Sequence, residues 1–409
     1  MRYKKIFLAA LAALGALATK AESPSAPSDP IAPRTRSARL MFAGDVMSHE
    51  PQLTAARAAH ATRATDTLTA APAAHDATSH RGYDYTDVFR HFQPIFSDAD
   101  VAIANLETTL RTSPPYTGYP AFAAPAALAF DLRRAGVRIV TTANNHICDK
   151  GAAGIRSTLA ILDSADIAHT GTFIDSTDYR ARHPLYFTAN GLRFALLAYT
   201  YGVNSPSIPR GVIVNTIDTA IIARDISLAR TKNPDCIIIS YHWGDEYRSR
   251  PNNTQRQLAE WTHSRGADII IGSHPHVVEP IEVFFDADSL PRRATYYSLG
   301  NFVSNQRTRR TDGGIVADIT VSRPAPYPLS YNRLISTLTP HLTSITQPPP
   351  TQPLTFNFAW RLAWVNKFQA HGHPHYEVLP APTLDSLPPA AQFARDTRSL
   401  LSDSPAVEK

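Results

Sequence analysis

Residues of the types that bind metals follow five apolar, strand-like segments of this chain. In each case an apolar run ends, and a carboxylate, an amide or an imidazole follows within a few positions. These residues are Asp45, Asn105, Glu107, Asn144, Asn145, His146, Asp149, His242, Ser273, His274 and His276. Two carboxylates, an amide oxygen and three imidazoles match the oxygen and nitrogen preferences of Zn, Mn or Fe. The pattern predicts a metal site in which two metals could share one bridging carboxylate.

The most specific of these segments is His274-Pro275-His276. In an extended stretch, residues i and i+2 point the same way, so both imidazoles can reach one cluster while Pro275 stiffens the backbone. The alternative is a pair of exposed loop histidines. Asn145 and His146 form a second pair, in which Asn offers a neutral oxygen ligand and His a general acid. A plain turn is the alternative there.

The elements around these residues explain how distant positions can meet. From about Tyr85 to Ser322, short apolar runs alternate with helix-like segments, which predicts an α/β domain. The apolar runs that precede the candidate residues are 40–43, 101–104, 137–142, 236–240 and 269–271. In an open α/β sheet the loops beyond the carboxyl ends of parallel strands line one crevice, so the five loops are expected to converge.

The rest of the chain divides into less regular segments. Residues 1–21 predict a signal peptide, and the Ser-, Pro- and Ala-rich residues 22–38 predict a linker. An Ala- and Thr-rich stretch at about 55–80 is predicted to be a solvent-facing insertion in a domain spanning 39–322. Residues 323–409 hold 14 of the 33 prolines. Such density argues against long helices and central strands, although one or two strands are expected to return to the core.

The net charge of +5, from 40 Lys and Arg against 35 Asp and Glu, at first indicates a nucleic-acid or anionic-surface partner. Four of these cations lie in the predicted leader, so the mature chain carries about +1 and no nucleic-acid partner is expected. The leader predicts export to the periplasm or the extracellular space, with a membrane anchor through an uncleaved leader as the alternative. Two cysteines, Cys148 and Cys236, exclude a disulfide-stapled scaffold.

Six segments resemble, in this order, the CapA family of capsule, or poly-γ-glutamate, synthesis proteins. They are GDVMSHE, AIANLETTL, TTANNHICDKG, SYHWGDEYRSRPNNTQ, IIGSHPHVVEPIE and YSLGNFV. This family is similar to the calcineurin-like metallophosphoesterases, and the resemblance covers about residues 39–322. It implies a four-layer αββα sandwich of two mixed sheets, and a role in capsule or poly-γ-glutamate biosynthesis beside membrane partners of capsule synthesis.

The resemblance also implies a centre of two divalent transition-metal ions, Mn, Zn or Fe. The implied ligands are Asp45, Glu107 and His276 for the first ion, and Glu107, Asn145, His242 and His274 for the second. Glu107 would therefore be the bridging carboxylate. His146 would protonate the leaving oxygen or steady the transition state, and Asp149 would fix the orientation of that imidazole.

Met47 departs from the phosphoesterase pattern, which has a histidine two residues after the first aspartate. Either His49 or Glu50 supplies the missing ligand, or the first metal is more weakly held. Asn105 is an additional candidate ligand. A glutamate at position 107, where the phosphoesterases have a bridging aspartate, is a second departure and is typical of the CapA family.

Paired metals serve phosphoester chemistry best and could also serve amide hydrolysis or transfer. We therefore expect an anionic polymer or a phosphoester as the substrate. One alternative is a phosphoesterase with an unrelated substrate. Another is a non-catalytic polymer-binding or assembly subunit with a decayed metal site, and Met47 is the residue that favours this option.

Several side chains near the motifs have two interpretations. Trp243, Tyr247 and Tyr297 either line a substrate cleft or pack in the core. Five arginines either meet an anionic substrate or are ordinary loop charges; they are Arg248, Arg250, Arg307, Arg309 and Arg310. Three further histidines, which imitate the His-Pro-His motif, are predicted to lie in a loop; they are His371, His373 and His375.

Overall fold

The computed structural model of this chain describes residues 35–66, 82–324, 353–381 and 383–409. The strands are β1 (Arg36–Val46), β2 (Val101–Leu106), β3 (Thr109–Arg111), β4 (Ala123–Pro125), β5 (Val137–Thr141), β6 (Ala168–Thr170), β7 (Thr172–Phe173), β8 (Leu185–Ala189), β9 (Leu192–Thr200), β10 (Ile213–Val214), β11 (Cys236–His242), β12 (Ile269–Ser273), β13 (Ile281–Phe285), β14 (Pro291–Tyr296), β15 (Asn301–Val303), β16 (Gly313–Arg323), β17 (Thr355–Ala370), β18 (His373–Pro380) and β19 (Val407–Glu408). The α-helices are α1 (Glu50–Asp66), α2 (Thr86–Phe89), α3 (Gln93–Ser97), α4 (Ala127–Ala135), α5 (Gly151–Ser164), α6 (Ser176–Arg182), α7 (Thr219–Arg230), α8 (Asn253–Ser264) and α9 (Pro388–Leu400).

Two mixed sheets carry most of these strands. The first has the order β18-β17-β16-β1-β2-β5-β6, with β15 paired to β1 and β19 paired to β17. The second has the order β13-β14-β12-β11-β9-β8. In the first sheet β1, β2, β5 and β6 are parallel, and in the second β9, β11, β12 and β14 are parallel.

Alternation of apolar side chains along the strands produces three separate cores. In β1, Leu40 and Phe42 pack between the two sheets, whereas Met41 and Ala43 pack with helices α1 to α5. In β9, Leu196 faces the first sheet and Leu197 packs with helices α7 and α8. The layers therefore run helices, sheet, sheet, helices, and the predicted four-layer αββα sandwich is confirmed.

The N-terminal boundary differs from the prediction. Strand β1 begins at Arg36, so residues 36–38 belong to the sheet and not to a linker. Helix α1 runs to Asp66, and its Ala55 and Ala56 are buried in the core on the helix side of the first sheet. The prediction of a solvent-facing insertion from about residue 55 is therefore wrong at Ala55 and Ala56, where small side chains let the helix pack closely, whereas Arg57, Ala61 and Thr62 are exposed. Residues 67–80 of that stretch, the predicted signal peptide and residues 22–34 of the predicted linker lie outside the described residues.

The C-terminal segment contributes a central strand, which the proline content had argued against. β17 has 16 residues and lies between β16 and β18. It contains no proline, so it can donate all of its ladder hydrogen bonds. Helix α9 has 13 residues and begins with Pro388 and Pro389, at the first turn where a missing N–H costs nothing. Proline density over a whole segment was therefore misleading, because the prolines lie outside β17 and, in α9, only in the first turn.

The two cysteines are both buried and neither forms a disulfide. His371 lies in the exposed turn between β17 and β18, as predicted for a loop, but the loop prediction is wrong for His373 and His375, which belong to strand β18 and pair with β17. No helix within the described ranges has the length and apolar character needed to cross a membrane.

A buried ion cluster joins the middle of the first sheet to the chain end. Asp318 of β16 is fully buried and accepts two hydrogen bonds from Arg39 of β1, at 2.9 and 2.7 Å. Arg361 of β17 donates a third at 2.9 Å, and Lys409 Nζ lies 3.2 Å away. Burial by itself raises the pKa of Asp318, but the hydrogen bonds from Arg39 and Arg361 outweigh it and lower this pKa to about 2.

We expect Asp318→Asn to lower the free energy of unfolding at pH 7 by about 2–3 kcal/mol, because it leaves the partly buried side chains of Arg39, Arg361 and Lys409 without their counter-charge. A carboxyl with a lowered pKa stabilises the fold above its unfolded pKa, and the stabilisation is lost as the pH falls from about 4 to about 2. Urea unfolding at pH 7 and pH 2.5 measures this: the gap between wild type and variant should shrink at the lower pH. Asp166→Asn, which removes an exposed ion pair with Arg133, should cost less than about 1 kcal/mol. Equal effects of the two variants would contradict the assignment.

Candidate metal centre

Two buried carboxylates lie at the carboxyl ends of adjacent parallel strands. Asp45 is the penultimate residue of β1, and Glu107 directly follows β2; neither side chain is exposed to solvent. Gly44 precedes Asp45, and a Cβ at this position would overlap the carbonyl oxygen of Gly300. The glycine therefore lets the chain before β15 approach β1 closely at the residue that presents Asp45.

The histidines come from the second sheet, which faces the first. His242 is the last residue of β11, and His274 and His276 follow β12. His274 has φ of 100° and His276 has φ of 58°, values that residues with a side chain rarely adopt. Such backbone strain is concentrated at functional sites, because the surrounding fold must hold it in place.

These residues form two groups of potential metal ligands that share Glu107. One group is Asp45, Glu107 and His276, the other is Glu107, His242 and His274, and within each group the ligand atoms lie within 4.8 Å of one another. His276 Nδ1 lies 3.2 Å from Asp45 Oδ2, and His242 Nε2 lies 3.5 Å from Glu107 Oε1. Glu107 is thus the one carboxylate common to both groups.

The shared carboxylate has no hydrogen-bond partner on either oxygen, although it is fully buried. His274 Nδ1 is likewise buried without a partner. Unpaired buried polar atoms are costly, and native proteins retain few of them. Glu107 and His274 belong to one group of potential ligands, and their unpaired oxygen and nitrogen atoms fit a divalent cation. Such an ion would give these buried atoms the partner that they lack.

The electrostatics of the cluster agree with this fit. Burial, and then the neighbouring Asp45 carboxylate, raise the pKa of Glu107 well above its usual range. Burial and the other histidines lower the pKa of His242 well below its usual range, and burial and His276 lower the pKa of His274 to about 4. Neutral imidazoles have lone pairs available for a metal, and a cation between the carboxylates would offset their repulsion.

Two asparagines surround this cluster with different contacts. Asn145 Oδ1 lies 2.8 Å from His242 Nε2, so its amide oxygen lies beside the second group, where it was predicted to act. Asn105 instead donates from Nδ2 to Asp45 Oδ1 at 2.8 Å, and its own Oδ1 lies 3.3 Å from Asn144 Nδ2. Because both ends of its amide contact protein groups, Asn105 orients Asp45.

His146 and Asp149 form a hydrogen-bonded pair beside the cluster. His146 Nδ1 lies 2.8 Å from Asp149 Oδ2, and the same oxygen accepts a hydrogen bond from the Phe122 N–H at 2.7 Å. The Phe122 ring packs edge-on against the imidazole, with a centroid distance of 4.7 Å. With Nδ1 donating to Asp149, Nε2 is the nitrogen left for proton transfer.

The two candidates for the ligand missing at Met47 do not join either group. Glu50 is exposed as the first residue of α1. His49 Nδ1 lies 3.3 Å from Gln52 Oε1 and 3.3 Å from the Asn305 backbone nitrogen, so this nitrogen contacts protein groups. Met47 itself is buried and lines the cleft beside the cluster. Among the residues that the structure describes, the first group therefore has three ligand-type side chains.

Sequence reasoning missed two residues that follow β9. The Asn204 side-chain amide lies 3.4 Å from His146 Nε2, and its backbone N–H donates to the Asn145 carbonyl at 2.8 Å. Tyr201 packs its ring on His274, with a centroid distance of 4.5 Å. The apolar run of β9 resembles the five runs that were noted, and the amide of Asn204 follows it within a few positions, so the same rule could have selected Asn204.

A cleft of about 550 Å³ opens beside His146 and His276. Of the aromatic residues with two interpretations, Tyr247 lines this cleft, whereas Trp243 and Tyr297 are buried on the helix side of the second sheet. The arginines that follow the GNF motif pair elsewhere: Arg309 and Arg310 contact Asp396, and Arg307 donates to the Val365 carbonyl at 2.6 Å. Arg248 and Arg250 are exposed and do not line the cleft.

The structure is an αββα sandwich of two mixed sheets, and carboxylates of the first sheet and imidazoles of the second gather around one shared glutamate. This is the metallophosphoesterase-like fold that the sequence resemblance implies. The family model described as bacterial capsule synthesis protein PGA_cap matches residues 39–306, and the chain belongs to this family. The predicted membership of the CapA family is therefore confirmed.

Two curated relatives carry capsule names. The chain is 30% identical over 249 residues to the capsule biosynthesis protein CapA of Bacillus anthracis, covering 58% of this chain and 57% of the relative. It is 31% identical over 252 residues to the PGA biosynthesis protein CapA of Bacillus subtilis, covering 58% and 62%. The chain thus spans about three fifths of each relative. Among solved structures it is similar to the calcineurin-like phosphoesterase YfkN of Bacillus subtilis, with a TM-score of 0.41, 9% identity and coverage of 90% and 98%.

Proposed function

We propose that this protein is an exported, metal-dependent hydrolase that cleaves a phosphoester during the biosynthesis of a capsule polymer such as poly-γ-glutamate. The observation that carries the proposal is the shared Glu107, whose two buried oxygens have no hydrogen-bond partner and belong to both ligand groups. Family membership supports the capsule role, and the leader of residues 1–21 supports export.

Each residue of the centre has a distinct task in this proposal. Asp45 and His276 would hold one ion, Asn145, His242 and His274 would hold the other, and Glu107 is the residue that both ligand groups include. Two divalent ions bound there supply Lewis-acid polarisation of the substrate oxygens. His146 in its protonated form donates the Nε2 proton to the leaving oxygen, and Asp149 accepts a hydrogen bond from Nδ1–H, which orients the ring.

The charge of the cleft favours a phosphoester over an extended polyanion as the direct substrate. Its described lining residues include neither Lys nor Arg, and Glu246 contributes a negative charge. An anionic polymer bound along the cleft would need cations along its path, whereas one phosphoryl group needs positive charge only at the metal ions. Partners at the membrane, where capsule polymers are assembled, would then supply the substrate or receive the product.

The second candidate function is a non-catalytic assembly subunit, and Met47 is the observation that favours it. The first ligand group contains only Asp45, Glu107 and His276 among the described carboxylates, imidazoles and thiols. An ion with three protein groups is held less firmly than one that also has an amide oxygen, so we expect the ion bound to Asp45 to leave first.

Metal analysis of the purified chain tests the proposed function. We expect close to two Mn or Zn ions per chain after reconstitution, hydrolysis of p-nitrophenyl phosphate, and loss of metal in two steps as a chelator is added. His274→Ala combined with His276→Ala should remove most of the metal, because each ligand group loses an imidazole. His371→Ala combined with His373→Ala alters two exposed histidines and should leave the metal content unchanged. A protein that takes up neither Mn nor Zn would rule out the enzyme.

A further inference from the structure

Three tyrosines that are at least half exposed stand around the candidate metal centre. Tyr119 is 73% exposed, Tyr201 is 50% and Tyr247 is 53%. Tyr201 packs on His274, and the Tyr247 ring centroid lies 6.0 Å from that of His276. Tyr119 packs edge-on against Phe122, the residue that contacts His146. Large exposed aromatic surface next to a site indicates a surface that a ligand covers.

The backbone at Tyr247 strengthens this interpretation. Its φ is 65°, in the left-handed region, and its N–H donates to the Pro275 carbonyl at 2.8 Å. Glycine or asparagine adopts this conformation at much lower cost than an aromatic residue does. The turn alone therefore gives no reason for a tyrosine, and an exposed ring held there at a cost in strain has a function in the cleft.

The polar residues of the cleft restrict the chemistry of its occupant. Tyr119 and Tyr247 line it together with Asn204, Ser205, Glu246 and Gln306. The amides and hydroxyls of these residues both donate and accept hydrogen bonds. Sugar hydroxyls do the same and can therefore pair with them in either direction, whereas an ammonium group could only donate to them. A polyanion lacks cationic partners among the described lining residues and would meet the Glu246 carboxylate.

We propose that this cleft binds a neutral saccharide unit next to the scissile phosphoester, with the sugar ring stacked on Tyr119 and Tyr247. This rests on the proposed function for the phosphoester, but the saccharide subsite itself needs no metal. The cleft volume of about 550 Å³ exceeds what a phosphoryl group occupies and falls within the range of about 300–1,000 Å³ that is typical of small-molecule sites. The substrate class is accordingly a glycosylated phosphoester, and a free glutamate polymer does not belong to it.

An array of neutral bacterial oligosaccharides that also carries a ten-residue γ-linked glutamate oligomer tests the subsite with the Mn-loaded protein. At least one saccharide should bind about tenfold more strongly than the glutamate oligomer. Tyr119→Ala and Tyr247→Asn should each weaken that binding by about fivefold to tenfold, the size of one aromatic contact. Asn at position 247 tolerates positive φ, so this variant keeps the turn. Stronger binding of the glutamate oligomer, or binding of no saccharide, would overturn the proposal.

Phe285→Ala provides the matched control. Phe285 is an aromatic residue of similar exposure, 50%, at the end of β13 and outside the cleft, so its loss should leave saccharide binding unchanged. If both tyrosine variants bind as well as this control, the saccharide lies elsewhere and the proposal is wrong. Saccharide binding by a protein that takes up no metal would sink the hydrolase and leave the subsite standing. Metal uptake and p-nitrophenyl phosphate hydrolysis without saccharide binding would leave the hydrolase standing and rule out the saccharide subsite.

Discussion

Replacing Glu107 with glutamine will leave the protein folded but unable to hold either metal ion, and hydrolysis of p-nitrophenyl phosphate will fall by about 10³-fold or more. Glu107 is the carboxylate that both ligand groups share, so one substitution weakens both. Glutamine conserves the volume but removes the charge that attracts two divalent cations. Metal content by plasma mass spectrometry and turnover with p-nitrophenyl phosphate measure the effect.

Stability in chelator should change in the opposite direction. In the metal-free protein the Glu107 carboxyl is buried with no hydrogen bond on either oxygen, and burial and Asp45 raise its pKa, so folding at pH 7 must either bury its charge or protonate it, and both cost free energy. A neutral glutamine removes this cost, and we expect the metal-free variant to be more stable than the metal-free wild type by about 1–3 kcal/mol at pH 7. Added Mn should then stabilise the wild type only. A loss of stability under both conditions would indicate a purely structural role.

Glu279 provides the matched control for this substitution. It too is a fully buried glutamate with one oxygen lacking a partner, and it follows the same His274-Pro275-His276 segment. Burial raises the pKa of Glu279 to about 8, and Gln255 donates to its other oxygen at 2.8 Å. It lies outside both ligand groups, so Glu279→Gln should retain both ions. Loss of metal in this control would show that any buried charge change disturbs the centre.

The sequence alone could predict where the centre lies because one topological rule applies to both sheets. Asp45, Glu107 and Asn145 follow parallel strands of one sheet, and His242 and His274 follow parallel strands of the other. Residues after the carboxyl ends of parallel strands reach one edge whatever the details of packing. Strand order brings the residues of each sheet to one edge, and the packing of the two sheets against each other brings the two sets together. Their role as ligands is still a prediction.

Other features depend on contacts that no local pattern encodes. Residues 55–66 look like a polar insertion by composition, and only packing on the first sheet explains why Ala55 and Ala56 are buried. Asn204 comes four residues after β9, and its position beside His146 follows from the course of the loop after that strand. Trp243 is buried and Tyr247, four residues later, is exposed. This difference follows from the course of the loop after β11. It could not be predicted from the sequence, because both residues are aromatic.

Replacing His146 with alanine will abolish most turnover while both metal ions stay bound. His146 belongs to neither ligand group, and its Nδ1 faces Asp149 at 2.8 Å. Loss of a general acid typically costs about 10²–10⁴-fold in rate, so kcat should fall by that amount for a substrate with a poor leaving group. p-Nitrophenolate leaves without needing a proton, so the defect should be smaller with p-nitrophenyl phosphate than with an alkyl phosphate.

This dependence on the leaving group separates proton donation from a structural role. A merely misfolded cleft would slow both substrates equally, and it would not respond to added imidazole, which should partly restore turnover of the alkyl phosphate. Asp149→Asn should give a milder defect of the same kind, because it disturbs the orientation of His146 while leaving the imidazole in place. His91→Ala, which removes a partly exposed imidazole paired with Glu377, should leave turnover and metal content unchanged. Full activity of His146→Ala on the alkyl phosphate would mean that His146 does not donate the proton.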